Sequence, residues 1–251
     1  MKKTTILTLA SVCLLLVMGM SSCMDVNVGG FGNKTIKPSK NIVAKTVKPG
    51  DFQQLNVSAV AKVKFIQADS GQCSVKLTGP DNYVELYKIE NRDGTLYIDF
   101  VKPKTNLTRN KVTIEIVGHT LTAIDNSGVA NVEVPNLKES RLSVDNSGVG
   151  NITIGNLEGQ SVNIECSGVG NITINGTAEA VELTCSGVGN INADGLKAHS
   201  VKAEVSGVGG IKCHADEAIS GVVSGVGSLK YSGDPKSKDL HRDGIGKISQ
   251  Q

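Results

Sequence analysis

The sequence predicts an all-β chain: a parallel β-helix (β-solenoid) with ~20-residue rungs, preceded by an irregular N-terminal β cap region. Three observations predict it. A short motif recurs at nearly constant spacing, apolar and polar residues alternate within each spacing, and the apolar residues are nearly all aliphatic. Aromatic residues make up 3% of the 251 residues, Trp is absent and Gly reaches 29. A core of Val, Ile, Leu and small residues suits thin stacked strands better than a globule built around large rings.

The amino terminus has the plan of a secretory signal. Met1-Lys2-Lys3 is a short basic region, and the apolar run from Ile6 to Met20 is too short for a spanning helix. Gly19-Met20-Ser21-Ser22-Cys23 resembles a bacterial lipobox, in which Cys23 is acylated and becomes the first mature residue. Ordinary cleavage with Cys23 incidental is the alternative. Residues 1–22 are thus expected to be a lipoprotein signal peptide, and 23–48 the acylated Cys with a flexible Gly-, Asn- and Lys-rich tether. The expected partner at this end is the membrane, through the lipid anchor. An outer-membrane lipoprotein is expected, with the periplasmic or cell-surface face left open because no acidic run follows Cys23.

Residues 49–119 read as the irregular N-terminal β region, and 120–251 as the repeat β-helix. Phe52-x-x-Leu55-x-Val57 begins a period-two alternation, and Val75 to Leu77, Leu96 to Phe100 and Val112 to Ile116 continue it. Asp93-Gly94 is a hairpin-turn dipeptide. Val84 to Ile89 fits either a strand or a helical turn. Seven of the eight aromatics lie at or before residue 100, as expected of a cap that covers one end of a stack. A separate small β-domain carrying a binding site is the other reading.

The motif reads Ser127-Gly128-Val129-Ala130-Asn131-Val132, Ser147-Gly148-Val149-Gly150-Asn151-Ile152, Ser167-Gly168-Val169-Gly170-Asn171-Ile172 and Ser186-Gly187-Val188-Gly189-Asn190-Ile191. It decays through Ser206 and Ser224 to Asp243-Gly244-Ile245-Gly246, in steps of 20, 20, 19, 20, 18 and 19 residues. Roughly seven rungs stacked at the strand spacing are expected. Within one rung Val162, Ile164 and Cys166 point in, and Ile172 and Ile174 do so again. Val169, three residues after Cys166, is expected to be buried between two glycine bends. Asn131, Asn151, Asn171 and Asn190 are expected to form an amide ladder along the stack.

These residues resemble a known family. The repeated Ser-Gly-Val-Gly-Asn-Ile, behind Phe52-x-x-Leu55-x-Val57 and a lipobox, is similar to the head domain of autotransporter-type adhesins, the GIN repeat family common in Bacteroidetes. The resemblance covers about residues 45–251. It implies a right-handed β-helix in a cell-envelope setting, with motif residues that are structural and no catalytic set.

The residues themselves argue for a binding module. Taking Lys2 and Lys3 from the 26 basic residues leaves 24, against 24 acidic ones, so a nucleic-acid partner is not expected. Asp125, Asp145, Glu165 and Glu204 share an outward column that reads as a solvated edge. Calcium would need six to eight converging oxygens. His119, His199, His214 and His241 fall in different columns, and no metal site, cofactor or catalytic residue is expected. Cys166 and Cys185 stack on adjacent rungs, where a disulfide and two free buried thiols are both open. The expectation is a non-enzymatic adhesin with a glycan or protein ligand. The alternatives are a scaffold acting as a homo-oligomer through its C-terminal edge, or a polysaccharide-active β-helix enzyme.

Overall fold

The computed structural model describes residues 35–102 and 105–251. The expected signal peptide and Cys23 lie outside the described residues. The fold is nearly all β, 70% strand and 2% helix, wound as a β-solenoid of about six turns. That is fewer than the seven the motif copies suggested, because the last copy adds only a four-residue strand, Lys247–Gln250.

The regular turns are the long bent strands β9 (Val129–Asn146), β10 (Ile152–Cys166), β11 (Val169–Cys185), β12 (Val188–Val205) and β13 (Val208–Val223). Each pairs in parallel with the next, and apart from register shifts such as that between Thr173 and Gly176 like residues meet: Ile152 with Ile172, Ile172 with Ile191, Ile191 with Ile211. The aliphatic spine this makes is 0% exposed at Ile152, Ile172, Ile191 and Ile211. Burying each such side chain stabilises the stack by about 1.5–3 kcal/mol, an upper-bound figure.

The first turn is built from the cap's own sequence. Strand β2 (Gln54–Val57) pairs with β8 (Ala123–Asn126), and β3 (Val60–Gln67) pairs with β9, both in parallel. Ala59 and Ala61 hold the places that glycines take in later turns. Beyond them the cap closes the stack with two extensions. On one side, β7 (Thr113–Gly118), β4 (Ser74–Pro80) and β1 (Ile42–Val47) follow β3. On the other, β2 is followed by the hairpin of β6 (Thr95–Phe100) and β5 (Tyr87–Arg92), turning through Asp93 and Gly94 at φ 51° and 78°. The stretch from Val84 combines both expected forms, since helix α1 (Asp81–Val84) leads through a turn at Glu85 and Leu86 into β5.

One boundary needs correction. The tether was expected to run to residue 48, yet Ile36 bridges Leu107 and Ile42–Val47 pairs antiparallel with β4. β1 is an outer strand with shallow burial, so its sequence lacks the alternation that a half-buried strand displays.

At the opposite end, β14 (Val226–Ser232), β15 (Ser237–Arg242) and β16 (Lys247–Gln250) finish the stack. The outer strand β15 carries Lys238, Asp239, His241 and Arg242, a charged edge of the kind that discourages strand addition.

Candidate functional site

The corner between inward residues Cys166 and Ile172 organises the surface of the rod. All five residues from Ser167 to Asn171 point away from the core or lie at its margin. Val169 is therefore not buried between two bends: it is 45% exposed, and Val129, Val188, Val208 and Val226 are 43–57% exposed. The reason is backbone stacking. A Cβ on Gly168 would lie 2.1 Å from the Gly148 carbonyl oxygen, and one on Gly170, at φ 150°, would lie 1.9 Å from that of Gly150. Successive corners sit directly on one another, held by bonds such as Val169 N–H to Gly148 O at 2.9 Å. The glycines face the neighbouring backbone and the valine between them is turned outward.

Val60, Val129, Val149, Val169, Val188, Val208 and Val226 are thereby paired in unbroken register along the rod. The motif serines run beside them, exposed from Ser127 to Ser224. Serine and valine columns line one shallow groove over the first turns, with Val60, Phe100 and Thr105 at its N-terminal end. On the other flank runs the asparagine column. Asn151 Nδ2 donates to Asn131 Oδ1 at 3.4 Å, Asn171 Nδ2 to Asn151 Oδ1 at 3.2 Å, and Asn190 Nδ2 to Asn171 Oδ1 at 3.1 Å. The backbone N–H groups of Asn151 and Asn171 use the same oxygens, each at 3.0 Å. The result is a ribbon, polar at both edges and apolar along its centre, with a repeat of about 4.8 Å set by strand spacing.

Behind the corner, a second column explains the cysteines. Asn146 Nδ2 donates to Gly150 O at 3.2 Å, Cys166 Sγ–H to Gly170 O at 3.7 Å and Cys185 Sγ–H to Gly189 O at 3.4 Å. Each satisfies the inward carbonyl of its own turn, a group that would be costly to leave unpaired. Cys166 and Cys185 are register partners and both are free thiols, as are Cys73 and Cys213. Burial pushes the Cys166 thiol up and carries that of Cys185 to about 11.

The acidic column is also in register, Asp125 to Asp145 to Glu165. Partial burial, followed by the charges of Glu165 and Asp125, pushes the Asp145 carboxyl up. Asn56 Nδ2 binds Asp125 Oδ2 at 2.6 Å, whereas Asp145 Oδ1 is buried without a partner.

Two groupings were invisible in the sequence. Ser232 Oγ lies 2.8 Å from His214 Nδ1, and His214 Nε2 lies 2.9 Å from Asp216 Oδ1. Ser232 donates its proton to Asp194 at 2.6 Å, which commits that proton to a carboxylate and leaves His214 without the base role a nucleophile requires. The network joins neighbouring turns. In the cap, Asp51, Cys73 and His119 place three ligand atoms within 4.8 Å of one another, although no metal site was expected from sequence.

A family model described as "putative auto-transporter adhesin, head GIN domain" matches residues 51–235. Among solved structures, a "putative adhesin" of Bacteroides fragilis NCTC 9343 is 36% identical, with TM-score 0.83 over 86% of this chain and 100% of that one. A "putative adhesin" of Parabacteroides distasonis ATCC 8503 shares the fold at 23% identity, with TM-score 0.69 over 87% and 100%. One of Parabacteroides merdae ATCC 43184 does so at 19% identity, with TM-score 0.65 over 85% and 98%. No curated protein sequence matches the chain.

Proposed function

The chain belongs to the head GIN-domain family, and on that premise we propose that it is a non-enzymatic adhesin head of the cell envelope that binds through the Ser–Val–Asn ribbon. The observation that carries this reading is the line of seven registered valines, five of them 43–57% exposed. A continuous apolar strip bordered by polar columns is unusual on a soluble surface and fits a partner's apolar side chains. Its backbone is fully tied between turns, so binding orders little of the protein and spends little entropy.

Of the two ligand classes, glycan or protein, a protein surface is favoured. Sugar recognition on a flat face leans on exposed aromatic rings, and the groove offers only the half-buried Phe100 at its N-terminal end, the later turns presenting Ser, Gly and Val. A near-equal charge balance gives nucleic acid no purchase. No helix among the described residues is long and apolar enough to cross a membrane, and the proposed attachment is acylation of Cys23 to the outer membrane. Self-association through the C-terminal edge is the least favoured part of the reading, because β15 is charged along its exposed length.

Protease treatment of intact cells tests the display. Cleavage of the wild-type protein on whole cells, together with release from the membrane fraction in a Cys23→Ala variant, is the expected outcome. Complete resistance on intact cells would place the protein inside the envelope and remove the adhesive role.

A further inference from the structure

The geometry points to a zinc-class divalent metal site in the N-terminal cap, formed by Asp51, Cys73 and His119. These residues are distant in sequence and are brought together by strand ends: Asp51 precedes β2, Cys73 precedes β4 and His119 follows β7. The packing that holds them is specific. Gly118 has no room for a Cβ, which would stand 2.8 Å from the Phe52 ring and 3.0 Å from the Phe65 ring. Phe52 is 2% exposed and meets Phe65 edge-on at 6.3 Å, so residues 51 and 119 are fixed beside that pair.

The ligand set is mixed. Cys73 Sγ and Asp51 Oδ1 are 3.5 Å apart, and all three ligand atoms fall within 4.8 Å. Zinc bond lengths imply ligand separations of about 3.3–3.8 Å in a tetrahedron, so one edge already fits and the rest close with a shift of about 1 Å. A thiolate, an imidazole and a carboxylate suit a borderline ion and not calcium or magnesium, which take oxygen. Three protein ligands leave the fourth position to water.

The hydrogen bonds of His119 hold its ring in place beside the other two ligands. Ala68 O lies 2.8 Å from Nδ1 and Gly71 O 3.0 Å from Nε2. A carbonyl faces each nitrogen, so coordination keeps one of these hydrogen bonds and gives up the other. One N–H held by a backbone carbonyl while the other nitrogen binds metal is the usual outer-shell arrangement of a ligating histidine. Without an ion, burial and then the neighbouring Asp51 carboxylate push the Cys73 thiol up, against the smaller opposing effect of backbone N–H groups at His119 and Cys73. Binding replaces the thiol proton, which is released to solvent, and Zn²⁺ with one thiolate and one carboxylate is locally neutral. Among the described residues no other group of three such side chains converges this way.

The test uses the mature chain carrying Cys23→Ser, titrated with Zn²⁺ and with Co²⁺. One equivalent of zinc retained through gel filtration and a thiolate-to-cobalt absorption band are expected. Cys73→Ser and His119→Gln should each weaken binding by more than about 100-fold, beyond the loss typical of an outer-shell change. Asp51→Asn alters an exposed residue, keeps the fold measurable and should abolish the zinc-induced rise in Tm. Cys213→Ser should change none of these. Failure of the wild type to retain zinc, or equal retention by Cys73→Ser or Asp51→Asn, overturns the assignment.

Discussion

The carbonyl oxygen of Gly150 occupies the space where a side chain on Gly170 would begin, 1.9 Å from an ideal Cβ. The motif glycines are therefore required by the turn beneath them as much as by their own backbone angles. Gly170→Ala is expected to cost more than about 4 kcal/mol, the range reserved for severe core clashes. Gly94→Ala, at φ 78° with nothing within 4 Å, should cost only about 1–2 kcal/mol of backbone strain. Urea unfolding midpoints compare the two, and similar losses at both sites would refute direct corner stacking.

The asparagine column makes a graded prediction. Asn171 donates to Asn151 and accepts from Asn190, whereas Asn190 meets Gly210 on its other side. Asn171→Ala should cost about 0.5–1.5 kcal/mol and Asn190→Ala less. The reverse order in thermal unfolding would mean that the exposed amides gain nothing from one another beyond what water supplies.

Thiol chemistry reports on the column behind the corner. Burial holds the thiols of Cys166, Cys185 and Cys213 up, the last to about 12, so little thiolate exists at neutral pH. Native protein should leave these three unalkylated for hours, and denatured protein should expose them within minutes. Rapid labelling of Cys166 or Cys185 in the native state would show that the turns open readily there.

Much of this architecture was legible because the repeat fixes its own register. Once Asn131, Asn151, Asn171 and Asn190 are aligned, the pairing of the corner columns and of the Ile spine follows, whereas the register shifts beyond Ile154 and Thr173 do not. The orientation of Val169 was not legible. Its three-residue spacing from both Cys166 and Ile172 suggested two bends with a buried residue between them, but the corner is one wide turn set by glycine backbones touching across turns. The cap hid its chemistry for a different reason. Asp51, Cys73 and His119 are joined by a topology of mixed parallel and antiparallel strands that no periodicity announces. β1 escaped because an outer strand with little burial has no reason to alternate.

The acidic column gives a pH signature. The Asp145 carboxyl is held above its ordinary value in the folded chain, so the folded state keeps its proton to higher pH than the unfolded state does. Stability at this site is greatest below the unfolded value and is lost as pH rises through the folded one. Asp145→Asn should therefore raise Tm at pH 7 by about 1–3 °C, consistent with relief of cross-strand repulsion. The gain should disappear near pH 3. A loss of Tm at pH 7 would show that the carboxylate is paired favourably instead.

The central claim is that the motif valines form the contact surface. Val169 and Val188 are register partners at 45% and 43% exposure, so the double substitution Val169→Glu, Val188→Glu places two charges on the ribbon without entering the core. The decisive measurement is the binding of fluorescently labelled protein to intact host and bacterial cells, by flow cytometry, for wild type and this variant at matched Tm. The ribbon predicts that wild type binds and that the variant loses at least about 10-fold, the equivalent of 1.4 kcal/mol. Undiminished binding by the folded variant would contradict it.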